Sequence, residues 1–90
     1  MGFIDYKNRK SLINRRTTSY TFQEPGLAIV DTSLYTKING VSLQNFSPTN
    51  IRREEGGGTG YAVVLVDKGD VISDTEYYID YIYLTPLKKK

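Results

Sequence analysis

The chain has 90 residues and a mass of 10.2 kDa. A chain of this length buries only somewhat more than about 60% of its unfolded surface, which is enough for one small domain with a single modest core. Its 39% hydrophobic and 24% charged residues are typical of a globular protein and not of a disordered or fibrous one. Cysteine and histidine are both absent, which excludes disulfides and thiolate metal sites and removes the commonest general base and metal-binding side chain. We therefore expect a chain without enzymatic activity, metal or cofactor.

Positive charge collects at the two ends of the chain, although the formal net charge is only +2. Residues 1–16 contain five basic side chains and one acidic side chain, and residues 88–90 are all lysine. The segment between these ends is acidic overall. Basic ends around an acidic body can attract either nucleic acid or the acidic surface of another protein chain.

Residues 1–16 show no strand pattern and are predicted to form an extended basic N-terminal arm. The arm contains four isolated apolar side chains among polar and basic ones: Phe3, Ile4, Leu12 and Ile13. Chain termini of this kind are poorly ordered unless something holds them. We therefore predict that these four side chains dock the arm onto a protein surface.

From residue 17 onward, β-branched and aromatic residues are abundant and predict one all-β domain over residues 17–87. Residues 17–23 alternate between polar and apolar side chains and end at Pro25-Gly26, as a strand followed by a turn does. Residues 27–30 are all apolar and predict a strand buried on both faces. Residues 31–33 form a polar connector.

The strongest local signal is Asn39-Gly40, which lies between two strand-like segments at residues 34–38 and 41–44. Both residues tolerate the positive φ angles of a two-residue type I′ turn, so the segments are predicted to form a tight hairpin in which Ile38 faces Val41. The side chains predicted to share its core-facing side are Leu34, Ile38, Val41 and Leu43.

Residues 45–50 are predicted to form a loop, and residues 51–55 fit either a strand end or a single helical turn. The glycine-rich residues 56–60 predict a flexible connector before three further strands at residues 61–67, 71–73 and 77–85. Six or seven short strands of this kind predict a small antiparallel β-sandwich or barrel, followed by a basic tail at residues 88–90. The residues expected in its core are Ile38, Val41, Leu43, Val63, Leu65 and Ile82.

Two segments contain residue types that are common in ligand sites, but their spacing fits the known motifs poorly. The glycines of residues 56–60 are not followed by the Lys-Ser or Lys-Thr pair and the helix that a phosphate-binding loop needs. The carboxylates within residues 67–76 flank two turns, where aspartate is favoured in any case, and their spacing does not match a calcium loop. We assign no catalytic, cofactor-binding or metal-binding residue.

The last predicted strand carries half of the eight tyrosines, namely Tyr77, Tyr78, Tyr81 and Tyr83. Tyrosine suits protein interfaces because it combines a large rigid surface with a polar tip. It also stacks on nucleic-acid bases, but Asp74, Glu76 and Asp80 surround this strand and repel phosphate. We therefore predict a protein interface formed by these four tyrosines and the apolar side chains of the arm.

Together these features predict a structural subunit that acts by protein–protein contacts in a homo- or hetero-oligomeric assembly. Its most concrete form is a small virion component of a tailed bacteriophage (capsid decoration, head completion or tail), in the virion or in the cytoplasm before assembly. No apolar stretch approaches the length of a membrane span, so no membrane partner is expected. One alternative is a small nucleic-acid-binding β-barrel that uses Arg9, Lys10, Arg15, Arg16 and the C-terminal lysines. Another is an adaptor or inhibitor that binds one specific protein as a monomer.

Overall fold

A computed structural model describes residues 3–43, 49–50 and 60–88, and the secondary structure of this part of the chain is almost entirely β. The strands are β1 (Lys10–Ser11), β2 (Ser19–Thr21), β3 (Gly26–Val30), β4 (Thr36–Ile38), β5 (Val41–Ser42), β6 (Thr49–Asn50), β7 (Tyr61–Val66), β8 (Val71–Asp74) and β9 (Ile82–Pro86). One turn of 3-10 helix covers Tyr6–Asn8. No helix within these described ranges is long and apolar enough to cross a membrane.

The all-β prediction is confirmed, but the part of the chain that the structure describes contains nine strands and not six or seven. The two additional strands, β1 and β6, are only two residues long and lie in segments predicted as an arm and a loop. Neither segment has a strand pattern of its own in the sequence. Each forms a strand through its pairing with a longer neighbouring strand. The glycine-rich connector and the ambiguous residues 51–55 lie outside the described residues, except for Gly60.

The larger sheet has five antiparallel strands in the order β1-β9-β3-β7-β6. Its central strand is β3, which pairs along its whole length with both β7 and β9. Gly26, the first residue of β3, lies opposite Val66 on one side and Pro86 on the other. Val30 is the last residue of β3 in both pairings. The apolar run at residues 27–30 therefore occupies the middle of a sheet, with alternate residues buried and half-buried.

The smaller sheet has four antiparallel strands in the order β2-β8-β4-β5. Its β4–β5 hairpin confirms the turn prediction, because Asn39 and Gly40 have φ angles of 51° and 82° and Ile38 faces Val41. The predicted core face is wrong at two positions, because Leu34 and Val41 are both exposed, and Leu34 lies in a turn before β4. Thr36 takes the buried position instead, because its hydroxyl has partners inside the protein.

The buried hydrophobic side chains of both sheets form one core cluster: Phe22, Ala28, Val30, Ile38, Leu43, Ala62, Val64, Val66, Ile72, Ile79, Ile82 and Leu84. The predictions for Ile38, Leu43 and Ile82 are confirmed. Those for Val41, Val63 and Leu65 are wrong, because all three side chains are exposed. On β7 the error follows from the sequence itself, since all six residues are apolar or tyrosine and either alternate set could face the core.

The predicted last strand is broken in two by a crossover between the sheets. Ile79 forms an isolated bridge with Thr17, next to β2 of the smaller sheet, whereas Ile82 pairs with Val30 in the larger one. Both isoleucines are fully buried although they are three residues apart, which a continuous strand does not allow because its side chains alternate. The backbone N–H of Asp80, at the crossover, donates to Oδ2 of Asp31 at 2.8 Å.

Strand β2 is an edge of the smaller sheet, and its backbone is capped by nearby side chains. The Thr17 hydroxyl donates to the carbonyl oxygen of Ser19 at 2.8 Å and accepts from the Ser19 N–H at 3.3 Å. The Gln23 amide donates to the carbonyl oxygen of Thr21 at 3.1 Å. These contacts occupy backbone groups with which an added strand would pair.

Replacing Gly26 by alanine is expected to destabilise the larger sheet. A Cβ atom at Gly26 would lie 2.5 Å from the carbonyl oxygen of Thr85 and 2.9 Å from Cδ1 of Leu84, so β3 and β9 would have to separate. We expect Gly26→Ala to lower the free energy of unfolding by about 2 kcal/mol in urea denaturation. Gly69→Ala is the control, because that site is open and only its φ of 96° is unfavourable, which costs about 1 kcal/mol. Equal losses in the two variants would contradict this steric explanation.

Candidate protein interface

The segment predicted as an extended, docking arm lies along β9 of its own chain. Lys10 and Ser11 form β1 opposite Leu84 and Tyr83, and the Leu12 N–H donates to the carbonyl oxygen of Ile82 at 2.8 Å. The expectation that residues 1–16 stand outside the strand pattern is therefore corrected for residues 10–11. The edge of β9 supplies the backbone partners, which the sequence of the arm could not reveal.

The contact between the two ends of the chain continues past β1. Ile4 forms an isolated bridge with Leu87, the Asp5 N–H donates to the carbonyl oxygen of Pro86 at 2.8 Å, and the Lys88 N–H donates to that of Phe3 at 2.7 Å. The predicted N-terminal and C-terminal basic segments thus lie side by side, as far as the structure describes them. Lys7, Arg9, Lys10 and Lys88 therefore lie close together.

The four apolar side chains of the N-terminal segment have different environments. Leu12 and Ile13 pack against the core cluster, and Ile4 is half-buried. Phe3 is 85% exposed. Only Phe3 therefore leaves most of its side chain available to another molecule, and Leu12 and Ile13 serve this chain's own fold.

Truncating Ile13 and Phe3 separates these two roles. Ile13→Ala is expected to lower the free energy of unfolding by about 1.5 kcal/mol, because it removes apolar contact with the core. Phe3→Ala is expected to change it by less than about 0.5 kcal/mol, because that ring is exposed. Chemical denaturation at low protein concentration measures both values. Equal effects would show that the segment is not anchored through Ile13.

Three of the four basic residues predicted to contact nucleic acid interact with this chain's own side chains. The Arg9 guanidinium lies 4.5 Å from the centre of the Tyr83 ring, and that of Arg16 lies 5.2 Å from the Tyr78 ring. Nε of Arg16 is also 3.7 Å from Oδ1 of Asp80.

Lys10 forms an ion pair with Glu24. Arg15, the fourth predicted residue, is exposed. These contacts with acidic and aromatic partners leave less free positive charge than the sequence alone indicates.

A groove of about 750 Å³ runs where the two ends of the chain meet. Its charged lining consists of Lys7, Arg9, Lys10 and Lys88 with Asp5 and Glu24. We call it the basic groove. The sequence indicated that both termini are basic, but only the antiparallel pairing of β1 with β9 brings them together.

The four tyrosines predicted to form one interface lie in two places. Tyr81 and Tyr83 have ring centres 5.6 Å apart, and the Tyr81 hydroxyl donates to the carbonyl oxygen of Gly60 at 2.8 Å. Tyr77 lies against Tyr35, with ring centres 6.0 Å apart, and Tyr78 is exposed near the crossover. The crossover at residues 79–81 lies between the two pairs along the chain.

An apolar surface that sequence reasoning missed lies on the side of the larger sheet that faces away from the core. Tyr61, Val63 and Leu65 of β7 are 47%, 38% and 71% exposed. Opposite them on β3 are Ile29 and Leu27, which are half-buried. We define the outer face as the side chains of Leu27, Ile29, Tyr61, Val63, Leu65 and Tyr83.

The outer face continues into an apolar groove of about 890 Å³ at the Gly26 end of the sheet. Its lining includes Phe3, Tyr6 and Leu87 together with Leu27 and Leu65. Asp67 and Asp70, in the turn between β7 and β8, also line it and give it an acidic border. The exposed side chains of the N-terminal segment thus extend the outer face.

The carboxylates that the sequence groups around two turns have local structural roles. Oδ2 of Asp70 accepts from the Asp67 N–H at 2.8 Å, and its Oδ1 accepts from the Asn39 amide at 3.1 Å. Asp74 is buried and accepts four hydrogen bonds from the protein. No group of carboxylates arranged to hold a metal ion occurs among residues 3–43, 49–50 and 60–88.

Comparison of the chain with protein-family models, curated proteins and solved structures finds no match in any of the three. The functional argument therefore rests on the surfaces described above. Among them, the outer face departs most from an ordinary protein surface, because three large apolar side chains of β7 are exposed together beside half-buried apolar side chains of β3.

Proposed function

We propose that this chain is a non-enzymatic subunit that acts by protein–protein contacts in a larger complex, and that the outer face is its main contact surface. The main evidence for this proposal is the exposure of Leu65, Tyr61 and Val63 on one strand. Single exposed apolar residues are ordinary on protein surfaces, but a contiguous patch marks an interaction site.

The size of the outer face supports this role. A six-residue strand such as β7 is roughly 20 Å long, and the three strands that carry the face, β7, β3 and β9, occupy roughly 15 Å across at about 4.8 Å each, so the face covers on the order of 300 Å² in projection. Patches of about 300–600 Å² are the largest that monomeric proteins usually expose, and they are often functional. None of its six side chains is charged, although the Arg9 guanidinium lies over the Tyr83 ring at the β9 side of the face. Its two tyrosines provide rigid contact area.

We propose further that the two sheets stack as a small β-sandwich. In support, one face of each sheet contributes to a single core cluster, and β7 alternates strictly between buried and exposed residues. In such a sandwich the second face of each sheet lies on the molecular surface. The outer face is then a stable feature of the folded domain and not the result of a local opening.

The concrete form that we propose is a small virion component of a tailed bacteriophage, present in the virion or in the cytoplasm before assembly. A small β domain with basic ends, many tyrosines, no cysteine and no histidine is typical of a subunit that binds neighbours and performs no chemistry. The outer face supports the contact role, and the analogy in composition supports the virion role.

Site-specific photo-crosslinking tests the contact role. A benzophenone amino acid is placed at position 65 of the outer face, or at position 71 of β8 as the control, because Val71 is 37% exposed on the smaller sheet. We expect irradiation of the cells that naturally produce the chain to yield adducts from position 65 whose second peptide is identified by mass spectrometry. Absence of a protein adduct at position 65, or equal yields at both positions, would contradict the proposal.

A second candidate function, nucleic-acid binding, is favoured by the basic groove. Lys7, Arg9 and Lys88 lie together there, and residues of this type neutralise phosphates. This candidate predicts that the chain binds a single-stranded oligonucleotide and that the affinity falls steeply as salt rises. Our proposal predicts little binding at physiological salt, because Arg9 and Lys10 interact with Tyr83 and Glu24. Fluorescence anisotropy of a labelled oligonucleotide at two salt concentrations distinguishes the two.

A further inference from the structure

We infer that the outer face binds a second copy of this chain, so that two chains pair face to face about a two-fold axis. The inference rests on the proposed function and names the partner for it. Three observations lead to it: the shape of the face, the charges at its border and its area.

The shape of the face is suited to pairing with itself. Cross-strand neighbours form two short rows, one containing Leu65 and Leu27 and the other containing Val63, Ile29 and Tyr83. Sheet faces with such rows pack on each other about 10 Å apart with their strands nearly aligned. In a two-fold dimer the same patch serves both partners, so no additional complementary surface is needed.

The border charges fit one particular axis, which runs parallel to β3. Because Gly26 lies opposite both Val66 and Pro86, the ends of β7 and β9 lie at the same level on either side of β3. A two-fold axis along β3 places β7 of one chain over β9 of the other. The acidic turn that begins at Asp67 then faces Lys88 of the partner subunit, and the reverse contact is made by symmetry.

The area indicates a dimer of moderate affinity. Stable interfaces bury roughly 800 Å² on each partner, and the outer face covers on the order of 300 Å² before the groove beside it is counted. Phe3 and Tyr6 line that groove and are largely exposed, so they add apolar contact at the same end of the sheet. We expect a dissociation constant on the order of 10 µM.

Sedimentation equilibrium of the purified full-length chain tests the dimer. The wild type is expected to show twice its 10.2 kDa mass at high concentration and to dissociate on dilution. Leu65→Lys is expected to weaken association by about 100-fold or more, because it places a charge in an apolar interface. Val71→Lys, on the smaller sheet, is the matched control and is expected to leave association unchanged. A wild type that remains monomeric at millimolar concentration, or equal effects of the two variants, would overturn the inference.

Charge exchange tests the axis. Asp67→Lys and Lys88→Glu are each expected to weaken the dimer by about 5-fold at low salt, and the double variant is expected to recover most of the wild-type affinity. Independent, additive losses in the double variant would show that the two residues do not face each other and would overturn this arrangement.

The results distinguish the failure of this inference from failure of the proposed function. A monomeric wild type with an identified adduct to a different protein at position 65 rejects the second copy as partner and retains the contact role. A monomeric wild type without any protein adduct at that position rejects both. A monomeric wild type whose melting temperature falls sharply in Leu65→Lys, but not in Val71→Lys, means that the face is covered within its own chain, which also rejects both.

Discussion

Phe22→Ala is expected to lower the free energy of unfolding by about 4 kcal/mol. Phe22 is fully buried directly after β2, and its ring packs edge-to-face against Tyr20 with the centres 5.3 Å apart. Removing the ring leaves a cavity that its neighbours cannot fill, because its backbone is fixed by hydrogen bonds to Gly69 and Asp70. Domains of this size have only about 5–15 kcal/mol of stability, so the loss is a large fraction of the total.

Urea denaturation followed by far-ultraviolet circular dichroism measures this loss. Phe22→Leu is the control, because it keeps most of the buried volume and is expected to cost less than about 1.5 kcal/mol. A loss for Phe22→Ala no larger than that for the exposed Phe3→Ala would show that Phe22 does not occupy the core.

Asp74→Ala is expected to lower the free energy of unfolding by about 3 kcal/mol, because buried hydrogen-bond donors lose their acceptor. Oδ2 of Asp74 accepts from the Ser33 hydroxyl at 2.6 Å and from the Thr36 hydroxyl at 3.0 Å. Its Oδ1 accepts from the N–H groups of Glu76 and Tyr77 at 2.9 and 2.7 Å. The side chain therefore joins the end of β8 to the loop before β4 and orders the turn that follows. Chemical denaturation at pH 7 measures the loss.

Glu76→Ala is the matched control, because Glu76 is an exposed carboxylate two residues away. It is expected to change stability by less than about 0.5 kcal/mol. A loss in Glu76→Ala as large as that in Asp74→Ala would mean that removing any negative charge from this turn has the same effect, and that the hydrogen bonds of Asp74 are not responsible.

The same carboxyl predicts how the stability of the chain depends on pH. Burial by itself would raise the pKa of Asp74, but the hydrogen bond from Ser33, together with two backbone N–H groups and the Thr36 hydroxyl, outweighs burial and lowers it. The charged form thus stabilises the fold at pH values above the unfolded-state pKa of about 3.9, and this stability is lost as the pH falls through the lower pKa of the folded state. The stability difference between wild type and Asp74→Ala is expected to shrink below about pH 4. A constant difference from pH 7 to pH 3 would contradict this assignment.

The features that were predictable from sequence are those that local chemistry determines. Asn39-Gly40 specifies its turn because both positions need positive φ angles, whatever surrounds them. The burial of Ala28 and Val30 follows from a run without polar side chains, but the run predicted burial on both faces and Leu27 and Ile29 are only half-buried. The core-facing side of β7 was not predictable, because both alternate sets of its residues are apolar or tyrosine and only their place in the folded core cluster selects Ala62, Val64 and Val66.

The surroundings of the candidate site depend on contacts between distant parts of the chain. Arg9 and Tyr83 are 74 positions apart in sequence but in contact in space, and the basic groove exists only because β1 pairs with β9. A count of charges predicts that the termini are basic, but it does not predict which cations have partners. The crossover at residues 79–81 had no sequence signal either, because Ile79 fits a continuous strand as well as the observed break.

The side-chain hydrogen bonds along β2 limit the kinds of complex that this chain can form. The hydroxyl of Thr17 and the amide of Gln23 occupy backbone groups along the edge of the smaller sheet, so a neighbouring molecule gains little by adding a strand there. Growth by edge addition repeats without end and leads to fibres, whereas pairing about a two-fold axis closes after two molecules. At the β2 edge, the side-chain caps therefore disfavour growth by strand addition.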